Sequence, residues 1–262
     1  MRKIALVTGA TSGLGKAIAL RLAKDGCDII ITGRRQERLE EVEKEIEIKY
    51  ESKVHSLCFD VRVYSEVEKA IASLPDEWRN IDILVNNAGL AVGLDPIYKG
   101  VVDDWERMID TNIKGLLYVT RVISPEMVSR KSGHIINIGS IAGKAVYPNG
   151  AVYCATKYAV NALHQGMRMD LVPFGIRVTQ VCPGAVDTEF SLVRFKGDQQ
   201  RADKVYEGYK ELDADDIAEA VSYAVSQPPH VNIQDMLVMP TAQATGTLFH
   251  KEEEKNKVGS PL

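Results

Sequence analysis

Residues 3–23 read KIALVTGATSGLGKAIALRLA, and this stretch decides the fold. Lys3 to Thr8 is an apolar run of strand length. It passes directly into Gly9-Ala10-Thr11-Ser12-Gly13-Leu14-Gly15, after which Ile18, Leu22 and Ala23 recur at helical spacing. Strand, glycine turn and helix N-terminus follow one another without a linker. Glycines let the backbone turn tightly and come close to a diphosphate, and the first turn of a helix offers unpaired N–H groups and a positive dipole end. The spacing is Gly-x-x-x-Gly-x-Gly rather than the commoner G-x-G-x-x-G. A glycine turn with only a structural role is the competing reading.

The same alternation continues along the chain. Strands are expected at Cys27 to Thr32, Lys53 to Phe59, Ile81 to Val85, His134 to Ile138, Ile176 to Cys182 and Met236 to Met239. Helical patterns separate them: Gln36 to Glu51 with Leu39, Val42 and Ile46 on one side, Val67 to Leu74, a pair over Asp104 to Arg130, one from Ala151, and Asp213 to Val225 with Asp213 as N-cap. The pair is expected to break near Asn112 and its second helix to end or kink at Pro125. Strands alternating with helices predict an α/β fold, a single-domain Rossmann-type doubly wound parallel sheet flanked by helices. The domain spans 1–250, and 251–262 form a charged C-terminal tail.

Two further places carry chemistry. The second strand ends in Gly33-Arg34-Arg35, where an acidic residue would otherwise hold a ribose 2′-hydroxyl. Guanidinium forks suit a phosphate instead, which points to NADP. The alternative is that both arginines merely begin a charged helix. The second place is GHIINIGSIAGKAVYPNGAVYCATKYAV, Gly133 to Val160. Ser140 follows the strand, and Tyr153 and Lys157 stand four apart on the next helix, hence on one face. A nearby cation favours the phenolate and would lower the Tyr153 pKa, so the phenol could give or take a proton while Ser140 holds a substrate oxygen. Taken alone, a Tyr–Lys pair at this spacing is also an ordinary surface feature.

The 262 residues are 45% apolar with a net charge of −4, which supports a sizeable core and gives no reason to expect nucleic-acid or anionic-membrane binding. The apolar run at the start stops at Thr8-Gly9, too short for a signal segment, and no stretch reaches membrane length, so a cytoplasmic location is expected. Cys27, Cys58, Cys154 and Cys182 form no pair of ligand spacing, and no metal site is expected; Cys58 and Cys182 read as core.

With the glycine turn, Asn86-Asn87-Ala88-Gly89, Asn112, Ser140, Tyr153, Lys157 and Pro183-Gly184 in this order, nearly the whole chain resembles the short-chain dehydrogenases/reductases. The resemblance implies a catalytic set of Asn112, Ser140, Tyr153 and Lys157. Tyr153 would be the acid/base, Ser140 would orient the reacting oxygen, Lys157 would hold the nicotinamide ribose, and Asn112 would support a water relay. It also implies cofactor contacts from Gly9, Thr11, Ser12, Gly13, Leu14, Gly15, Arg34, Arg35, Asp60, Val61, Asn86, Asn87, Ala88, Gly89, Tyr153, Lys157, Pro183, Gly184, Val186 and Thr188, with Asp60 near the adenine amino group. The runs Ile81 to Ala91 and Thr188 to Asp198 resemble the NADP-dependent serine/allo-threonine dehydrogenases, which act on 3-hydroxy acids. A broad NADPH-dependent carbonyl reductase is the alternative within the enzyme class, and an NADP-binding regulator without turnover lies outside it.

Two expectations remain. The segment after Pro183-Gly184 should close over the substrate. There Phe190, Leu192, Val193 and Phe195 would exclude water, and Arg194, with Lys196 as the alternative, would hold a carboxylate. A cation facing solvent or an oligomer contact is the competing reading. The resemblance, helped by apolar residues around Leu116 and Leu163 and over Met236 to Met239, implies a homotetramer.

Overall fold

In the computed structural model, residues 2–251 are described. The strands and helices alternate as β1 (Ile4–Val7), α1 (Gly13–Lys24), β2 (Asp28–Gly33), α2 (Gln36–Lys49), β3 (Val54–Cys58), α3 (Tyr64–Ala72), β4 (Ile81–Asn86), α4 (Val102–Ile109), α5 (Leu116–Arg130), β5 (His134–Ile138), α6 (Ala151–Leu171), β6 (Arg177–Pro183), α7 (Glu189–Arg194), α8 (Gln199–Asp203), α9 (Ala214–Ser226) and β7 (Asp235–Val238). The seven strands form one parallel sheet in the order β3-β2-β1-β4-β5-β6-β7. Asp213 caps α9 with a reciprocal capping box to Asp216.

A parallel sheet is covered on both faces, so its central strands read as continuous apolar runs; all of Ile4–Val7 and His134–Ile138 is buried. Helices α1, α2 and α9 cover one face, where Ile18, Leu22, Leu39, Ile217 and Val221 join Ile29, Ile31, Ile83 and Ile136. On the other face Val67, Val119, Ile123, Met127 and Leu171 from α3, α5 and α6 join Leu6, Ile30, Leu84, Ile135 and Val178. The strand order reverses between β1 and β4, and a crevice opens beyond the strands' C-terminal ends at such a point.

Three expectations need correction. Asn112 does not break the helix: Asp110–Gly115 is a π-helical turn that joins α4 to α5. Such wide turns insert a residue without interrupting the helix and are frequent at functional sites. Pro125 lies inside α5 without ending it. Its ring is exposed, as is Arg121 one turn earlier, so water can serve the carbonyl that lost its N–H partner. Cys58 is exposed rather than core. It ends the edge strand β3, and the alternation that buries Leu57 turns Cys58 outward. As a further feature, the segment after Pro183-Gly184 holds α7 and α8. The tail expected over 251–262 lies, apart from Lys251, outside the described residues.

Candidate active site

The glycine turn is built to bring backbone close to a ligand. Gly9 and Gly13 have φ of 66° and 52°, which an L side chain rarely adopts. A Cβ on Gly15 would stand 2.3 Å from the Gly9 carbonyl oxygen and 2.4 Å from Asn87 Nδ2, so the turn closes only with glycine there. Thr8 ties this turn to the end of β4: its hydroxyl accepts from the N–H groups of Asn87 and Ala88, both at 3.0 Å, and donates to Val85 at 3.2 Å. Asn87 returns the link by donating to the Thr8 carbonyl at 2.8 Å.

A cleft of about 730 Å³ runs from this turn across the strand ends. At one end stand Arg34, Arg35 and Asp60. Arg35 donates through Nη2 to Thr11 Oγ1 at 2.8 Å and to Ser12 Oγ at 3.1 Å, which fixes its fork beside the glycine turn. Arg34 is 3.8 Å from Asp60, whose carboxylate is held mainly by Arg62 at 2.6 Å. Burial works to raise the Asp60 pKa, but the hydrogen bonds from Arg62 outweigh it and hold the carboxyl below its usual range. Arg35 and Arg38 also approach Glu189 at the start of α7, at 3.7 and 3.9 Å. A glycine cradle with free helix N–H groups, followed by a cluster of guanidinium forks, fits a dinucleotide carrying an extra phosphate.

Ser140, Tyr153 and Lys157 converge at the other end of the cleft. Tyr153 is buried, with the Ser140 hydroxyl facing its phenol closely enough to favour the ionised form. The Lys157 ammonium donates to the Ile138 carbonyl at 3.0 Å and lies 5.9 Å from the centre of the Tyr153 ring. The expected lowering of the Tyr153 pKa is not found. Burial dominates and pushes the phenol well above its ordinary value, against smaller opposing effects of Ser140 and Arg194. Burial likewise brings Lys157 down to about 8. Desolvation penalises the charged form of each.

Asn112 and Asn86 do not line the cleft. In the π-helical turn, Asn112 accepts from the Leu90 N–H at 2.8 Å, and it donates to the Leu90 carbonyl at 2.9 Å and to Thr156 at 3.0 Å. Thr156 in turn donates to the Tyr153 carbonyl at 2.7 Å, so Asn112 fixes the Leu90 loop and the helix that carries Tyr153. Asn86 is sequestered between strands and helix: it donates to Thr120 at 2.9 Å and to Asn137 at 3.0 Å. The Asn86 side chain thus faces the packed side of β4 rather than the crevice, which leaves its backbone for the expected cofactor contact. Asn87, Ala88 and Gly89 line the cleft, as do the other cofactor-binding candidates.

Helix α7 covers Tyr153. Phe190 packs on its ring with centroids 5.7 Å apart, and the Arg194 guanidinium lies 5.7 Å from the ring centre. The Arg194 carbonyl accepts from the Gly93 N–H at 3.0 Å, which docks the segment on the loop after β4. Lys196 is turned elsewhere and pairs with the buried Asp104 at 2.7 Å. Of the two cations left open by the sequence, the one beside the phenol is Arg194.

Sequence reasoning missed Thr8, Thr156, Arg38 and Tyr147. Arg38 was legible, one helical turn beyond the two arginines. Thr8 could have been found as the last polar residue of its strand. The part played by Tyr147 depends on a partner 47 positions away and left no local signal. Among the described residues, no group of three His, Cys, Asp or Glu side chains gathers where it could share a metal ion.

Comparison with known proteins follows this geometry. Residues 3–198 match the family model described as short chain dehydrogenase. The NADP-dependent 3-hydroxy acid dehydrogenase of Salmonella typhi is 50% identical over 250 residues, 95% of this chain and 99% of that protein. The serine 3-dehydrogenase of Rhizobium radiobacter is 45% identical over 239 residues, 91% of this chain and 94% of the relative. Among solved structures, the closed form of a serine dehydrogenase complexed with NADP+ superposes with a TM-score of 0.88 at 49% identity, covering 95% of this chain and 100% of its own.

Proposed function

The chain belongs to the short chain dehydrogenase family, and on that premise we propose that it is an NADP-dependent oxidoreductase of small 3-hydroxy acids such as serine or allo-threonine. NADP, when bound, supplies the hydride acceptor and, reduced, the donor. The chain's own residues manage the proton and the geometry. Ser140 accepts or donates a hydrogen bond at the reacting oxygen, and Tyr153 takes the hydroxyl proton in oxidation or returns it in reduction. Lys157, as a cation behind the ring, stabilises the phenolate. Asn112 acts through Leu90 and Thr156, holding the two walls of the site in register.

The observation that carries the substrate class is the Arg194 guanidinium, 5.7 Å above the Tyr153 ring. A fork there can take a carboxylate two carbons from the oxidised centre. Phe190 packs on the Tyr153 ring beside it and Arg194 Nε is buried, which strengthens an ion pair there, although Val193, expected to exclude water, is exposed. The test is Arg194→Ala assayed with serine and with an uncharged alcohol of similar size. Serine should lose roughly tenfold to a hundredfold more kcat/KM, as expected for a charge-assisted contact of about 1.5–3 kcal/mol. Equal losses would show that Arg194 only shapes the segment.

The chain is proposed to work as a cytoplasmic homotetramer. Exposed Leu117 on α5, Tyr158 and Met169 on α6, and Val172 just beyond it leave apolar surface on the long helices, and Leu237 does so on β7. Among the described residues, no helix is long and apolar enough to cross a membrane. A monomer by light scattering at micromolar concentration would overturn the assembly.

A further inference from the structure

Tyr147 stands in the loop between Ser140 and Tyr153, and its place is prepared by Gly150. A Cβ at Gly150 would fall 2.0 Å from the ring's Cε2, so no other residue leaves the ring where it is. The phenol of Tyr147 then reaches the guanidinium described above. Arg194 donates through Nη2 to the Tyr147 hydroxyl at 2.8 Å, and its Cζ lies 5.2 Å from the Tyr147 ring centre. The guanidinium is thus spread between two phenols, Tyr147 and the acid/base Tyr153.

The remaining hydrogen-bonding capacity of this pair points one way. The Arg194 N–H uses a lone pair of the phenol oxygen, so the phenol keeps its proton for a second partner, a place the Cys154 thiol approaches and a substrate oxygen would take over. Arg194 Nε is buried and has no partner. A phenol O–H and a guanidinium held side by side by their own hydrogen bond, on two residues that both line the cleft, match the two oxygens of one carboxylate. A packing role alone would explain the ring but not the oriented hydroxyl. The uncharged partner also holds Arg194 over the active phenol when no substrate is present, so less ordering is left to binding.

We propose that Tyr147 and Arg194 together form a two-pronged receptor for the substrate carboxylate, with Tyr147 as a specificity-determining residue that both donates to the acid and positions Arg194. The proposal rests on the reading that Arg194 receives the acid. It deepens that reading by assigning the second donor.

The test compares Tyr147→Phe with the unchanged enzyme in NADP reduction by 3-hydroxypropanoate and by propane-1,3-diol, which lacks the carboxylate. The phenylalanine ring keeps the packing and removes only the hydroxyl. The ratio of kcat/KM for acid over diol should fall about tenfold, with the loss carried by KM for the acid, because a site built around a polar contact discriminates through it. An unchanged ratio overturns the proposal, whether both substrates suffer equally or neither suffers. Arg194→Ala run in parallel separates the two levels. If it too leaves the ratio unchanged, the carboxylate reading itself fails; if it alone lowers the ratio, only the role of Tyr147 fails. Should Tyr147→Phe not fold, Tyr147→His retains a flat ring with a donor. It should then keep more acid preference than Tyr147→Leu, and equal preference in those two would overturn the proposal.

Discussion

Replacing Arg35 by alanine should shift cofactor preference from NADP toward NAD. Arg35 is already oriented, because Thr11 and Ser12 hold its Nη2 at 2.8 and 3.1 Å, so little side-chain freedom remains to be lost when a phosphate binds. A hydrogen bond to a charged group contributes about 1.5–3 kcal/mol when shielded. The Arg35 side chain is 49% exposed, so solvent screening reduces this toward about 1–1.5 kcal/mol. That corresponds to roughly tenfold in the NADP/NAD ratio of dissociation constants. Arg34 is 59% exposed and drawn toward Asp60, so its loss should cost less, about threefold. Titration calorimetry with both cofactors on Arg34→Ala, Arg35→Ala and the double variant measures these ratios. Raising the salt should shrink the difference, since exposed charges are screened over a Debye length. A double variant with the unchanged enzyme's NADP/NAD ratio would refute the assignment of the phosphate site to the end of β2.

Other outcomes follow from burial. Lys157, brought down to about 8, is charged below that pH and loses its proton above it; kcat/KM in carbonyl reduction should therefore fall above about pH 8, and Lys157→Arg should remove that limb because guanidinium does not titrate there. A flat profile between pH 7 and 9 in the unchanged enzyme would count against it. His134 is buried against Thr179 and its pKa is pushed down to about 3. Its folded value lies below the unfolded one of about 6.5, so its contribution to stability is present above pH 6.5 and is lost as pH falls toward 3. Urea denaturation from pH 7 to 5 should show His134→Gln with a slope smaller by up to about 1.4 kcal/mol per pH unit; an identical slope would mean that His134 titrates normally.

The sheet was legible because each of its inner strands is an apolar run closed by small or glycine-rich residues, and those residues are also where the crevice forms. Helical spacing put Tyr153 and Lys157 on one face, but only the order of the other motifs along the chain set them apart from an ordinary surface pair; Asp213 was legible through its cap. What escaped depended on neighbours distant in sequence. Nothing around Cys58 says that β3 is the edge of the sheet. Pro125 breaks a helix by rule, and only its exposure shows why this helix continues. A π-helical turn at Asn112 and a helical break there share one local signature. Tyr153 shows the same limit in its chemistry. The adjacent cation was visible in the sequence, but the depth of burial that overrides it was not.

The most direct measurement is pre-steady-state and steady-state oxidation of serine by Tyr153→Phe, followed at the absorbance of reduced nicotinamide, with NADP affinity determined on the same protein. Loss of the proton acceptor should lower kcat by about a hundredfold to ten-thousandfold. NADP should still bind within a few-fold of the unchanged enzyme, because the glycine turn and the arginine cluster are untouched. A variant that turns over serine within a few-fold of the unchanged enzyme would contradict the assignment of proton transfer to Tyr153.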